Sequence, residues 1–394
     1  MASREQSSTY STTSSLVRDA QFLSASELDS VPGQTVLQRC LSVRSVISTS
    51  SSFAVRYGEA ASRPPQQLVE IGIGLQGVIL EQGGKQLVFK KELAHIVSHP
   101  SFIWNVQHEH LLHLRVIAAF DRYCEAVGCL VRVPRVFDLI LPSDEQFWAD
   151  MLPKLPEPFR QRTTTITMER LLPLPKVVRR ALVREFSAIP DLDDDKVDGI
   201  LAMVPNKHCL ARTCLGVQDR LVHHDKFTLR NMPLWLKRMQ LLAMDTHTIA
   251  SQLGMAYALM HWGACIDGDD VEFVLGTSAL PSTTGAAAQG EQTIPGFQHR
   301  AVGLYLIDFG QCSEVDLSDD VDVVYQRFRG IMVTGTSQDY IPHCHKTPDL
   351  FAEFARAYVD AGNKILADKG MGGRFDLEWF VKDYQEYAED FLVP

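Results

Sequence analysis

Four short pieces in a fixed order constrain this chain more than any other feature of it. Gly72, Gly74 and Gly77 fall in the run Gly72-Ile73-Gly74-Leu75-Gln76-Gly77, with Val69-Glu70-Ile71 before it and Val78-Ile79 after it. Lys90 ends the apolar run Val88-Phe89-Lys90, and Glu109 stands nineteen residues later in a segment that reads as a helix. About two hundred residues further on comes Leu306-Ile307-Asp308-Phe309-Gly310. Glycines in a turn let backbone N–H groups approach phosphate with no Cβ in the way. A dinucleotide fingerprint opens a helix after its glycines, and this one opens a strand. Lys90 would then direct a cation at phosphates, with Glu109 holding it by an ion pair. Lys91 competes with Lys90 for that assignment, and the plain alternative is a glycine-containing hairpin with a surface lysine.

Taken together, the order and spacing resemble the nucleotide cradle of the protein-kinase-like fold. The resemblance implies an α+β protein of two lobes, a small β-rich N-lobe and a larger α-rich C-lobe. Gly72, Gly74, Gly77, Lys90 and Glu109 become the candidate cofactor-binding residues, and Asp308 a candidate catalytic one. Residues 1–55, rich in Ser and Thr, read as a largely disordered tail. Residues 56–172 are the expected N-lobe and 173–394 the expected C-lobe, with a flexible insertion at 277–298.

The local patterns agree with that division. Gln67 to Ile73, Val78 to Glu81 and Gln86 to Lys90 read as strands, with Gly83-Gly84 as a turn signal. Ser98 to Arg115 reads as a helix, and Arg132 to Leu141 and Thr164 to Leu171 as further strands rich in Val, Ile and Thr. Asp245 to Trp262 is the clearest helix, since Ile249, Leu253, Tyr257 and Met260 share one face and Asp245 or Thr246 caps it. Asp349 to Ala367 and Leu377 to Phe391 also read as helices.

The loop after Met260-His261 is where the chain departs from the kinase pattern. Asp267-Gly268-Asp269-Asp270-Val271-Glu272 preserves the spacing of five between a base and a metal ligand, at Asp267 and Glu272. The usual residues before the base are replaced by Cys265-Ile266, and the usual Asn by Glu272. Four carboxylates in six residues place much negative charge beside a triphosphate, unless metals or a cationic substrate offset it. A carboxylate cluster suits a guanidinium, which pairs bidentately, and Mg²⁺ is the rival use of the same groups. The bland reading is a solvated acidic turn.

Bulk properties exclude several other classes. The composition, 45% apolar and 22% charged, is that of an ordinary globular protein. No apolar run has the length of a membrane span, so no membrane partner is expected. Eight scattered cysteines fit reduced thiols, and a cytoplasmic setting is expected. A net charge of −10 argues against broad nucleic-acid binding and against DNA as a partner. Cys209, Cys214, His208 and His343-Cys344-His345 lack zinc-finger spacing, so no metal site is assigned. The run Phe227-Thr228-Leu229-Arg230-Asn231-Met232-Pro233-Leu234 is unusual, and composition gives it no role.

A more specific resemblance lies in Ala258-Leu259-Met260-His261-Trp262, in Ile266 to Gly276, in Phe227 to Leu234 and in Leu304 to Cys312. These resemble a fungal family filed as a domain of unknown function and often mislabelled as zinc finger proteins, over about residues 205–345. The family includes arginine-containing cyclodipeptide synthases of secondary metabolism. The resemblance implies an aminoacyltransferase that joins arginine from arginyl-tRNA to a second amino acid from another charged tRNA, as a diketopiperazine. The family's acidic motif maps onto Asp269, Asp270 and Glu272, so the candidate catalytic set is Asp267, Asp269, Asp270, Glu272 and Asp308. No cofactor is required in that reading. The alternatives are a small-molecule phosphotransferase of the aminoglycoside-kinase type, which would need ATP and Mg²⁺, and a non-catalytic pseudokinase.

Overall fold

The computed structural model describes residues 21–23, 28, 31–42, 45–48, 67–97, 104–220, 227–280 and 299–392. Two sheets and a body of helices make an α+β protein. The first sheet contains β3 (Val69–Ile73), β4 (Gly77–Glu81), β5 (Leu87–Glu92), β6 (Val136–Ile140) and β7 (Thr165–Glu169). Its order is β3-β4-β5-β7-β6 and every pairing is antiparallel.

Alternation along β5 settles which lysine faces which side. Successive strand residues point to opposite faces. Lys91 is buried on the side where Leu68, Val78, Leu80, Phe89 and Trp148 form a small core, with its ammonium 5.5 Å from the Trp148 ring and bonded to Thr163. Burial pushes its amine down to about 8. Lys90 therefore faces the other way, toward the helix Val106–Val127.

That helix starts later and runs further than the sequence suggests. The sequence pattern predicts Ser98 to Arg115; residues 98–103 lie outside the described residues, and the observed helix is Val106–Val127. Asn105 caps its start by accepting from the His108 N–H at 2.8 Å, and Gly128, at φ 77°, ends it in the left-handed conformation. Glu109 thus sits in the first turn, where the helix dipole favours a carboxylate.

The second sheet has the order β1 (Gln21–Leu23), β2 (Ser45–Ser48), β11 (His299–Ile307), β10 (Glu272–Leu280), β8 (Ala211–Cys214), β9 (Met232–Trp235). Its centre is the long hairpin of β10 (Glu272–Leu280) and β11 (His299–Ile307), registered Glu272 to Ile307. The sequence reading placed a loop from 277; the strand instead continues through Leu280, and 281–298 lie outside the described residues. β8 (Ala211–Cys214) pairs β10, and β9 (Met232–Trp235) pairs β8 in parallel. The Phe227 to Leu234 run thus ends in an edge strand.

The supposed N-terminal tail is a further correction. β2 (Ser45–Ser48) pairs with β11 and β1 (Gln21–Leu23) pairs with β2, so both extend this sheet, and Gly33–Cys40 is a helix. Leu28, Val36, Leu37, Cys40, Leu41 and Ile47 lie in the main core, and a Cβ at Gly33 would lie 3.6 Å from Ala181 of the helix Lys176–Phe186. A few apolar residues in a polar segment suffice once a partner helix covers them. Residues 1–20 and 49–66, which belong to the same expectation or border it, are outside the described residues.

The rest of the main core is helical. Thr246–Ala258, capped by Asp245, packs on Pro348–Asp368, and Gly254 permits the approach: a Cβ there would meet the Phe354 backbone. After Ala258 the helix widens into a π turn, Leu259–Ala264, instead of running on to Trp262 as an α-helix. His261 in this turn stacks on Phe328 at 4.1 Å. No helix among the described residues is long and apolar enough to cross a membrane.

Candidate functional site

A cleft of about 380 Å³ opens between the two sheets, roofed by the glycine hairpin and floored by residues of β8, β10 and the turn after β11. Gly72, Gly74 and Gly77 all line it. Gly77 has a steric reason to be glycine, because a Cβ there would come within 3.0 Å of the Lys91 carbonyl. The hairpin tip is fastened from below: the buried Gln76 side chain donates to the Gly310 carbonyl at 3.0 Å.

Lys90 joins the parts. Its Nζ lies 2.6 Å from Glu109 Oε1 and 2.9 Å from Asp308 Oδ1. Burial pulls the lysine's pKa down, but Asp308 and Glu109 outweigh it and hold the amine charged, with its pKa above the usual value. Glu109 is raised by burial, and Lys90 opposes that shift. Asp308 takes φ 66°, a conformation rare outside glycine. Phe309, next in line, is fully buried and packs 4.7 Å from the ring of His113, which burial pushes down to about 3. So three residues spread over more than two hundred positions are brought to one point.

Asp270 and Glu272 also line the cleft. Asp270, at φ 56°, accepts from the Gln311 side chain, and burial and then Asp308 raise its pKa. Glu272 is not free. Arg212 holds it through two guanidinium nitrogens, Nε donating to Oε2 at 3.1 Å and Nη2 to Oε1. Arg212 pairs with Val274 across the β8–β10 ladder, which puts Glu272 at the diagonal position on the same face. Burial raises the Glu272 pKa and Arg212 opposes it.

The structure places the other two candidates apart from the cleft. Asp267 is 0% exposed and all of its acceptor capacity is in use. Its Oδ1 accepts from the backbone N–H of Ser313 at 2.8 Å and of Asp269 at 3.2 Å; its Oδ2 accepts from Arg327 Nε at 3.0 Å and Nη2 at 2.7 Å. It pins the acidic loop to the segment after Gly310. Asp269 is half-buried beside it, with its pKa raised by burial and by Asp267 and Asp270. Neither belongs to the cleft lining.

Arg212, Arg230, His208, Gln76 and Gln311 line the cleft without having been singled out as site residues. Arg212 carries no local signal, because its partner lies 60 residues away across a ladder. Arg230 sat inside the unexplained Phe227 to Leu234 run, and Gln76 inside the glycine loop.

No family model matches the chain, and no curated protein sequence matches it. Among solved structures the chain is similar to a GDP complex of an aminoglycoside 2'-phosphotransferase-IIIa mutant, at 11% identity over 87% of this chain and 97% of that one, with a TM-score of 0.18. A likeness that faint leaves the functional reading to the geometry of the cleft.

Proposed function

We propose that the chain is a kinase-like, two-lobed enzyme that binds ATP with Mg²⁺ and transfers a phosphoryl group to a small-molecule hydroxyl. The small lobe is the glycine-hairpin sheet, within residues 56–172, and the large lobe is the remainder, including the N-terminal elements that join its sheet. The observation that carries the reading is the ammonium of Lys90 held at once by Glu109 and Asp308 beneath a glycine hairpin. Phosphoryl transfer asks a protein mainly for positioning and charge, because the transition state is loose. Gly72, Gly74 and Gly77 would admit the phosphates to backbone N–H groups, and Lys90 would pair with them. Glu109 would keep Lys90 aimed.

Among the described residues no three His, Cys, Asp or Glu converge on one metal position. Mg²⁺ is commonly held by one or two carboxylates and the substrate's phosphates, so the donor set fits. Asp308 and Asp270 are close enough for the first to raise the pKa of the second, and a divalent cation would relieve that repulsion. Those two residues would hold it, and when bound it would neutralise charge on the phosphates. Asp267, at the position of the usual base, is not available for that role.

A second reading keeps the same cleft for tRNA-dependent cyclodipeptide synthesis. Its support is the pair Asp270 and Asp308 in the cleft lining, whose carboxylates suit an arginyl guanidinium; Glu272 is already held by Arg212. One pair of assays separates the two. Mg²⁺–ATP should stabilise the wild type by RT ln(1 + [L]/Kd), seen as a higher melting temperature, and should leave the melting temperature of Lys90→Met unchanged. Purified protein given arginyl-tRNA and a second charged tRNA should form no diketopiperazine without ATP. Product in that assay, detected by mass spectrometry, would favour the synthase, and an absent thermal shift would sink the phosphotransferase.

A further inference from the structure

The Phe227 to Leu234 run has an unspent cation at its centre. Leu229 N–H donates to the buried Asn206 side chain at 2.8 Å and Thr228 Oγ1 bonds the same oxygen at 3.1 Å, which fixes the segment. Asn231 follows at φ 52°, a left-handed residue that tips the chain into β9. Between them Arg230 reaches into the cleft mouth. Its ion-pair partner is Glu70 on β3, at 3.7 Å, too far for a hydrogen bond. Both side chains are partly open to solvent, so the pair is a weak contact. Arg230 therefore stays available to a better anion.

His208 stands on the same wall. Burial, and then Arg170, Arg179 and Arg230, push its pKa down to about 4, so at neutral pH the ring is an uncharged hydrogen-bonding group. Arg212 is close by on the floor but is committed to Glu272. Besides its carboxylates and Lys90, the lining thus holds Arg230 with His208 and Asn231.

We propose that Arg230, His208 and Asn231 form a second anion site, which takes the phosphate group of a small phosphate ester at the cleft mouth while Glu70 gives up Arg230. A guanidinium fork matches a phosphate bidentately, and a neutral imidazole and an amide supply further donors without adding charge. A small ester is favoured over nucleic acid because the cleft is only about 380 Å³ and the chain carries a net charge of −10. The proposal uses the cleft but does not require that Lys90 bind a nucleotide.

The test is binding of ribose 5-phosphate to the full chain by calorimetry, at fixed ionic strength, for the wild type, Arg230→Gln, Glu70→Gln and Lys90→Met. Arg230→Gln should weaken binding at least tenfold. Glu70→Gln should tighten it about threefold, since it removes the competing carboxylate. Lys90→Met should weaken it less than Arg230→Gln does, even where it abolishes binding of Mg²⁺–ATP. Unchanged affinity in Arg230→Gln, or loss confined to Lys90→Met, would overturn the site. Arg230-dependent binding of tRNA with none of ribose 5-phosphate would overturn the small-ester assignment. Failure of Mg²⁺–ATP to bind any of the four proteins would count against the phosphotransferase alone.

Discussion

The amide of Gln76 donates to the carbonyl of Gly310 at 3.0 Å across 234 residues of sequence, so the tip of the glycine hairpin is tied to the residue two beyond Asp308. The roof and the floor of the cleft are one mechanical unit at this point. Gly310 permits it, because a Cβ there would overlap the Gln76 side-chain oxygen.

Gly310→Ala should therefore cost about 1–3 kcal/mol by displacing a buried amide from its partner. Gln76→Ala should cost a similar or smaller amount. In the double variant the alanine at 310 has nothing to strike, so the two effects should not add. Denaturant unfolding of the four proteins checks this, and simple additivity would show that the tie does not exist in solution.

The contrast between Asp267 and Asp270 gives a second expectation. Asp267→Ala strips two backbone N–H groups and Arg327 of an acceptor, so the fold should lose about 2–4 kcal/mol. Asp270→Asn removes only a charge, and Asn tolerates the left-handed backbone found there. Its melting temperature should stay within about 2 °C of wild type, while catalytic turnover falls by at least about a hundredfold. Turnover surviving in Asp270→Asn would remove this residue from the active centre.

How far the sequence reached depends on what kind of signal each residue leaves. Lys90 and Glu109 lie within, and Asp308 just after, elements that leave a local pattern, so their spacing is readable in the sequence; the structure brings them together. Which carboxylate of the acidic loop faces the cleft was not readable. Asp267 and Asp270 are three apart in an irregular turn, and their directions are set by Ser313, Arg327 and Gln311 from other elements. Arg212 was invisible because strand pairing alone makes it a neighbour of Glu272. The helix Gly33–Cys40 was missed because its short apolar stripe, Val36, Leu37 and Cys40, means little until the helix Lys176–Phe186 lies against it.

That helix sets a third expectation, for truncation. Deleting residues 1–32 removes the edge strand β1 and Leu28, which is 1% exposed, and should cost at least about 2 kcal/mol. Deleting 1–48 also removes Val36, Leu37, Cys40, Leu41 and Ile47 from the main core and uncovers the edge of β11. At roughly 1.5–3 kcal/mol for each large apolar side chain, the loss rivals the whole stability of a typical domain, roughly 5–15 kcal/mol. The shorter fragment should be insoluble, and a cooperative unfolding transition near the wild-type temperature would refute the assignment of this segment to the core.

The last expectation concerns acid. His261 is buried, its ring nitrogens are engaged with Tyr358 Oη at 2.9 Å and the Asp267 carbonyl at 3.2 Å, and burial pushes its pKa from 6.5 down to about 3. The folded protein therefore holds this imidazole neutral, while the unfolded chain protonates it below 6.5. A base with a depressed folded pKa stabilises fully above its unfolded value, and the contribution falls away as pH drops from 6.5 toward 3. The slope for one such proton is about 1.4 kcal/mol per pH unit. The raised carboxylates Asp269, Asp270 and Glu272 titrate with the opposite sign, so the wild-type profile alone is a mixture. The difference between wild type and His261→Gln isolates the ring. That variant should be less stable at pH 7.5, and its deficit should shrink by about 1.4 kcal/mol per unit from just below pH 6.5 to about pH 4. A deficit that stays constant over that range would mean that His261 is not held neutral in the fold.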